Sequence, residues 1–463
     1  MHKIFSNLLV ETSKDGLKGY ITLLDNEDEN KITEEKNIGQ IIEEVKNIFK
    51  VGVDEGKLKD LLLNEYYNDK TCIARGELPI NGKDGYIKYN FDLEKKIKPK
   101  ILEDGTVDYR ELDIINNVAK GDVLAELVPP KEGKPGLKVT GDTISYRKGK
   151  YPKFKYGKNV KLLDNKLALV AEKDGLVTLT NGKIKVLDVY EVKNVDNNVG
   201  NIYFDGTVIV KGNVLNGFQI KANGDVNVKG VIEGSYIENT GDIVIKKGIQ
   251  GYNKLVIRTK GNITTRFIEN AIINSQKNIV AEAIMHSEIS CRGSINVIGK
   301  RGLIVGGVCK AKKEIKAKTI GSTMATLTIL EVGIDPQIKS RNEELIDRID
   351  ELEKNMNKII KSLNLLGRLK KAGKLDEDKK NVYAKLVKTR DNMMIKLKDL
   401  KREQETIKES IENVSKGRIK VSDTIHPGVK IIIGNRSMSI RDEMKRCTFY
   451  LDEGEIKVGP YQE

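Results

Sequence analysis

Gly224-Asp225-Val226, Gly241-Asp242-Ile243, Gly261-Asn262-Ile263 and Gly293-Ser294-Ile295 repeat one phrase: a Gly, a polar residue, then a β-branched apolar run. Earlier copies stand at Gly200-Asn201-Ile202 and Gly212-Asn213-Val214, and Lys replaces Gly in copies starting at Lys277 and Lys313. From Gly224 the steps are 17, 20, 16, 16 and 20 residues. Self-similarity at such a period signals a solenoid. Within a copy, Ile220 and Ala222, then Val226 and Val228, alternate with polar residues, which puts one apolar set on one face of a strand. Stacked coils bury that face in a shaft, and Gly at each boundary is expected to supply a φ > 0 corner. The predicted fold is mainly β: a parallel β-helix over 191–335, with other elements before and after it.

Those flanking elements change texture clearly. Residues 1–70 read as a small α/β region, with a strand at Lys18–Leu24 and a helix opening at Thr33-Glu34-Glu35. Ile38, Ile41, Ile42 and Val45 recur there at helical spacing, and a second helix over Glu55–Tyr67 carries Leu58, Leu61 and Leu62 inward. Residues 71–190 are dense in turn signals and read as a β-rich domain. Gly133-Lys134-Pro135-Gly136 lacks the Gly-Lys-Ser/Thr ending and following helix of a phosphate loop, so its glycines are assigned to turns. Over 336–416, Leu345, Ile349, Leu352, Met356, Ile359, Leu363 and Leu366 form a heptad seam. A break at Lys371-Ala372-Gly373-Lys374 precedes a second seam through Val382, Leu386, Thr389, Met393, Leu397 and Leu400. This is an antiparallel coiled-coil hairpin, each arm reaching ~54 Å. The alternative is parallel pairing between chains. Residues 417–463 return to strands that cap or continue the solenoid.

The chain has 463 residues, a net charge of +14, 5% aromatic residues and no Trp. A thin Ile/Val shaft needs few aromatics. The charge is read as a Lys-rich surface without an Arg block or a basic stripe interleaved with aromatics, so nucleic acid is not an expected partner. Four separated Cys and three scattered His show no metal spacing, and neither a metal nor a cofactor is expected. Without a leader or an apolar run of membrane length, the expected location is the cytoplasm. His286 is read as an outward corner residue. Asp225 and Asp242 are read as corner residues, because the glycine–aspartate rhythm of calcium-binding coils is missing.

Ala74-Arg75-Gly76-Glu77-Leu78-Pro79, Gly133-Lys134-Pro135-Gly136-Leu137-Lys138-Val139-Thr140-Gly141 and Val199-Gly200-Asn201-Ile202-Tyr203-Phe204-Asp205-Gly206, in this order, carry a resemblance to the flagellar assembly protein A family, formerly a domain of unknown function. It extends over nearly the whole chain. The solenoid also resembles the C-terminal domain of the Min septum-site inhibitor over Gly217–Gly230. The first resemblance implies a role in flagellar assembly or in cell-pole or cell-surface organisation. The second implies a binding scaffold, and such domains dimerise.

The expectation is therefore a non-enzymatic scaffold with protein partners, no membrane span, and a homo-oligomer as one form. Its candidate partner surface is the hairpin tip: Leu365, Leu366, Arg368, Lys370 and Lys371. A merely solvated turn is the plain alternative there. Two other functions compete. A polyanion binder would use the net charge. A carbohydrate-active β-helix enzyme would need two of Glu233, Glu238, Glu269 and Glu282 to meet.

Overall fold

The computed structural model describes residues 2–4, 8–25, 35–64, 66–93, 100–101, 103–371, 373, 376–412 and 417–461. They form two compact units, Met1–Leu93 with Gly121–Glu172 and Leu179–Lys185, and Glu94–Lys120 with Lys173–Thr178 and Val186–Glu463.

In the first unit, strands His2–Ile4, Leu8–Thr12, Lys18–Leu23 and Thr71–Arg75 form an antiparallel sheet. Helices α1 (Glu35–Ile48) and α2 (Glu55–Leu63) share its core, where Leu8, Ile21, Ile41, Val45, Leu58 and Leu62 are buried. The start expected at Thr33-Glu34 lies outside the described residues. Asp54 caps α2, its carboxylate accepting from the Lys57 N–H at 3.1 Å, which satisfies one orphan donor of the first turn. A second antiparallel sheet runs in the order 160–162, 168–171, 123–128, 86–89. Beside it, residues 77–83 and 131–137 pair as a ribbon, with bridges Glu77 to Leu137, Ile80 to Lys134 and Lys83 to Lys131.

The second unit holds a parallel β-solenoid of about eight turns. Its register stacks Ile202, Ile220, Ile237, Ile257, Ile273, Ile289, Cys309, Leu330 and Ile431 in one column, every member buried. A second face stacks Val208, Val226, Ile243, Ile263, Ile279, Ile295, Ile315 and Ile419. A third runs from Ile232 through Ile249, Ile268, Ile284 and Ile304. Period-two alternation on three faces gives one buried, mainly apolar shaft. Ile115 enters this core at the first turns, where the Arg110 carbonyl accepts from Asn201 N at 2.7 Å and the Arg110 guanidinium donates to the Gly217 carbonyl at 2.9 Å. At the far end Arg418–Ile425 pairs parallel with Glu314–Ile320 on one side and antiparallel with Met444–Asp452 on the other, which ends the parallel stack.

Between the first and second faces, every corner has three residues: Asn223-Gly224-Asp225, Thr240-Gly241-Asp242, Lys260-Gly261-Asn262, Gln276-Lys277-Asn278, Arg292-Gly293-Ser294. Each Asx side chain reaches up one turn. Asp225 Oδ1 accepts from Asp242 N at 2.8 Å, Asp242 Oδ1 from Asn262 N at 2.7 Å, and Asn278 Oδ1 from Ser294 N at 2.9 Å. The expected φ > 0 corner is corrected here. Of the six phrase-opening glycines only Gly200 is left-handed, at φ 71°. The others are required for space: a Cβ at Gly261 would lie 2.1 Å from the Gly241 carbonyl oxygen and 2.4 Å from Asp242 Oδ1. Lys277 is tolerated where the ladder loosens, the Asn262-to-Asn278 bond being 3.2 Å, and Lys313 follows the shorter Ser294.

The hairpin is inserted in this same corner. Val332 stacks under Ile433, and Ile419 over Ile315, yet 83 residues (334–416) intervene between Gly333 and Gly417. The two roots touch, since a Cβ on Gly417 would lie 2.6 Å from Gly333 N. Excising 334–416 leaves Gly333-Gly417-Arg418, a three-residue corner like the others. Helices α3 (Pro336–Lys371) and α4 (Glu377–Glu412) pack within the chain, tied by Arg341 to Glu403 at 2.9 Å and Lys401 to Glu353 at 2.6 Å. Asp335, buried, caps α3 at Gln337 N and pairs with Arg292 at 2.7 Å, which anchors the root. The α4 seam departs from the expected one at two positions, while Leu386, Met393, Leu397 and Leu400 are half-buried. Val382 and Thr389 are exposed, whereas Tyr383 and Arg390 are half-buried and continue to Met393 and Leu397. Long amphipathic side chains hold those seam positions.

Candidate functional site

The hairpin tip was the surface expected to meet a partner. Leu365 is 64% exposed and lies off the heptad seam, while Leu366 is half-buried on it. Arg368, Lys370 and Lys371 are exposed in the last turn of α3, where cations complement the helix dipole. Lys370 Nζ stands 5.1 Å from the Tyr383 ring centroid, a cation–π contact between the two arms. Opposite, Asp376 caps α4, accepting from Lys379 N at 2.8 Å, and its bonds to Lys379 hold the carboxyl below its usual range. The end of α3 thus combines one exposed Leu with three exposed cations.

A second feature escaped the sequence reading. A groove of about 1190 Å³ runs along the first face of the shaft. Its floor is the outward column Tyr203, Lys221, Glu238, Arg258, Asn274 and Ser290, in register on successive turns. Gln337, Ser340 and Arg341 of α3 border one end. At the other, Tyr203 donates to Glu111 Oε1 at 2.7 Å; burial and that carboxylate push its phenol up to about 12, so it stays a neutral donor. Lys221 Nζ lies 5.8 Å and 6.0 Å from the Tyr203 and Tyr236 ring centroids. Only the turn-to-turn register brings these residues into one line, and that register is readable by adding each step length to the last.

The four carboxylates weighed for glycoside chemistry are not register neighbours. Gln250 stands between Glu233 and Glu269, Glu238 stacks beneath Arg258, and Glu282 pairs with Arg266 at 3.7 Å. His286 is an exposed corner residue at φ 45°. Among the described residues no group of three or more His, Cys, Asp or Glu is placed to hold a metal. The thiols of Cys291 and Cys309 are pushed up to about 12, first by burial, and all four Cys are free. Gly133 and Gly136 serve close strand approach rather than turns: their Cβ positions fall 2.1 Å from the Ile80 and 2.4 Å from the Glu77 carbonyl oxygens.

The expected absence of a basic stripe interleaved with aromatics is corrected by residues 143–161. Thr143–Lys161 is such a stripe. It holds Arg147, Lys148, Lys150, Lys153, Lys155, Lys158 and Lys161 with Tyr146, Tyr151, Phe154 and Tyr156, and no acidic residue. It went unseen because acidic residues elsewhere dilute it in any whole-chain view.

No described helix is long and apolar enough to cross a membrane. Residues 188–456 match the family model described as Flagellar Assembly Protein A beta solenoid domain, and residues 8–182 match that of the Flagellar Assembly Protein A N-terminal region. No curated protein and no solved structure matches the chain.

Proposed function

From membership of the flagellar assembly protein A family, to which this chain belongs, we propose that it is a non-catalytic scaffold that acts in flagellar assembly by holding protein partners. The observation that carries this reading is the hairpin's placement. A shaft whose corners otherwise take three residues carries in one of them two helices of 36 residues each, about 54 Å long. The shaft's ladders run past the insertion without it. An element that its own fold does not need for stacking is positioned for presentation. The tip residues Leu365, Leu366, Arg368, Lys370 and Lys371 are the proposed contact, working in the cytoplasm on a partner with a complementary acidic and apolar surface.

The test keeps the chain whole. Changing Leu365→Ser together with Arg368→Gln, Lys370→Gln and Lys371→Gln leaves the helical circular dichroism nearly unchanged, because all four side chains are exposed and no anion is placed at the helix C-terminus. In flagellated cells that depend on this protein, the variant fails to restore filaments at wild-type abundance of the protein. Full restoration by the variant would remove the tip from the mechanism.

A further inference from the structure

We propose that the first unit carries a binding site for anionic phospholipid surfaces, built from the basic stripe Arg147–Lys158 and the exposed apolar residues of the strand beside it. The stripe contributes seven positive charges over residues 143–161, half of the chain's net +14. Its backbone is pinned at three points: Arg147 O accepts from Gly82 N, Lys150 O from Gly85 N and Lys155 O from Ile184 N, each at 3.0 Å. Asn81 and Asp84 accept from Arg147 N and Lys150 N at 2.9 Å. The cations are therefore held outward on a fixed ribbon. Lys148, Lys150, Lys153, Lys155 and Lys158 are exposed, and among the described residues none has a carboxylate within ion-pair distance. Arg147 has only Asp84, at 4.0 Å. Lys83 and Lys131 stand directly opposite each other in the neighbouring register, a like-charge pairing that an anion would relieve.

The apolar residues choose between polyanions. Leu78 is 71% and Ile80 62% exposed, Tyr86 60% and Tyr151 69%. Ile80 is the register partner of Lys134, so both side chains leave the ribbon on one side. Gly133 lies between Ile80 and the Tyr146 ring, and Gly85, next to Tyr86, lies against Pro152. Exposed Leu and Ile offer little to phosphodiesters, whereas Leu, Ile and Tyr beside Lys suit the headgroup–acyl boundary. Six of the seven cations are Lys, point charges without the bidentate fork that reads bases. Charge and apolar insertion together form the two signals that stable peripheral binding needs.

Sedimentation of the full-length protein with vesicles of equimolar phosphatidylserine and phosphatidylcholine, against phosphatidylcholine alone, tests this. The protein pellets with the anionic vesicles only, and salt releases it. Lys148, Lys150, Lys153 and Lys155 changed together to Ser lower the partition coefficient at least about a hundredfold, each cation near the surface contributing about fivefold. Leu78→Ser with Ile80→Ser keeps the charge and lowers it at least about tenfold. Equal pelleting of wild-type and the Lys-to-Ser variant overturns the proposal. So does tighter binding to a single-stranded oligonucleotide that the Lys changes abolish and the Leu78/Ile80 changes leave untouched, which would assign the stripe to nucleic acid.

Discussion

Gly261→Ala unfolds the solenoid at a temperature well below that of the parent, with a loss of about 4 kcal/mol. The added methyl would sit 2.1 Å from a backbone oxygen, and backbone in a stacked ladder has no room to give. Shifting the turn would also break the bond from Asn262 N to Asp242 Oδ1 and expose a donor at the corner. Gly105→Ala, in the same unit, is the contrast. Gly105 has φ 82° and nothing within 4 Å of its Cβ position, so only backbone strain of about 1–2 kcal/mol opposes it. Melting both variants by circular dichroism separates crowding from φ. A Gly261→Ala protein that melts no lower than Gly105→Ala would refute the close-approach account of the corners.

Ile273→Ala costs about 4 kcal/mol, while Ile272→Ala, one residue away, costs under about 0.5 kcal/mol. Ile273 is fully buried between Ile257 and Ile289 of adjacent turns; Ile272 is 42% exposed on the groove side. A slip of one residue would exchange them, so the pair reads the register directly. Each turn contacts only its neighbours, so the damage stays local. Hydrogen exchange in Ile273→Ala is accelerated on the turns at Ile257, Ile273 and Ile289 and unchanged at Ile202. Similar costs for the two substitutions would mean that the assigned faces are wrong.

The shaft was legible because its corners impose residue types. An Asx must reach up a turn and a Gly must make room for it, so the phrase recurs wherever the chain turns from the first face to the second. The uneven steps have a simple origin. The turn from Ile237 to Ile257 adds residues only between Gln250 and Leu255, and the turn from Ile289 to Cys309 only between Val297 and Leu303. Both extensions lie away from the Gly-Asx corner, which keeps three residues throughout. The reason for the glycines was misread because φ and crowding favour the same residue. The groove shows only in the register: Lys221, Glu238 and Arg258 are ordinary outward residues of separate strands until the step lengths align them. In α4, Tyr383 and Arg390 occupy seam positions that an apolar rule passes over.

The shaft's ladders run from Glu314–Ile320 to Arg418–Ile425 without the hairpin. Joining Gly333 to Gly417 and omitting residues 334–416 tests that independence most directly, read by circular dichroism and thermal melting beside the parent chain. The predicted product loses the helical signal of α3 and α4, keeps the β spectrum, and melts cooperatively near the parent temperature. A protein that aggregates or loses its β transition when the hairpin is removed would contradict the account.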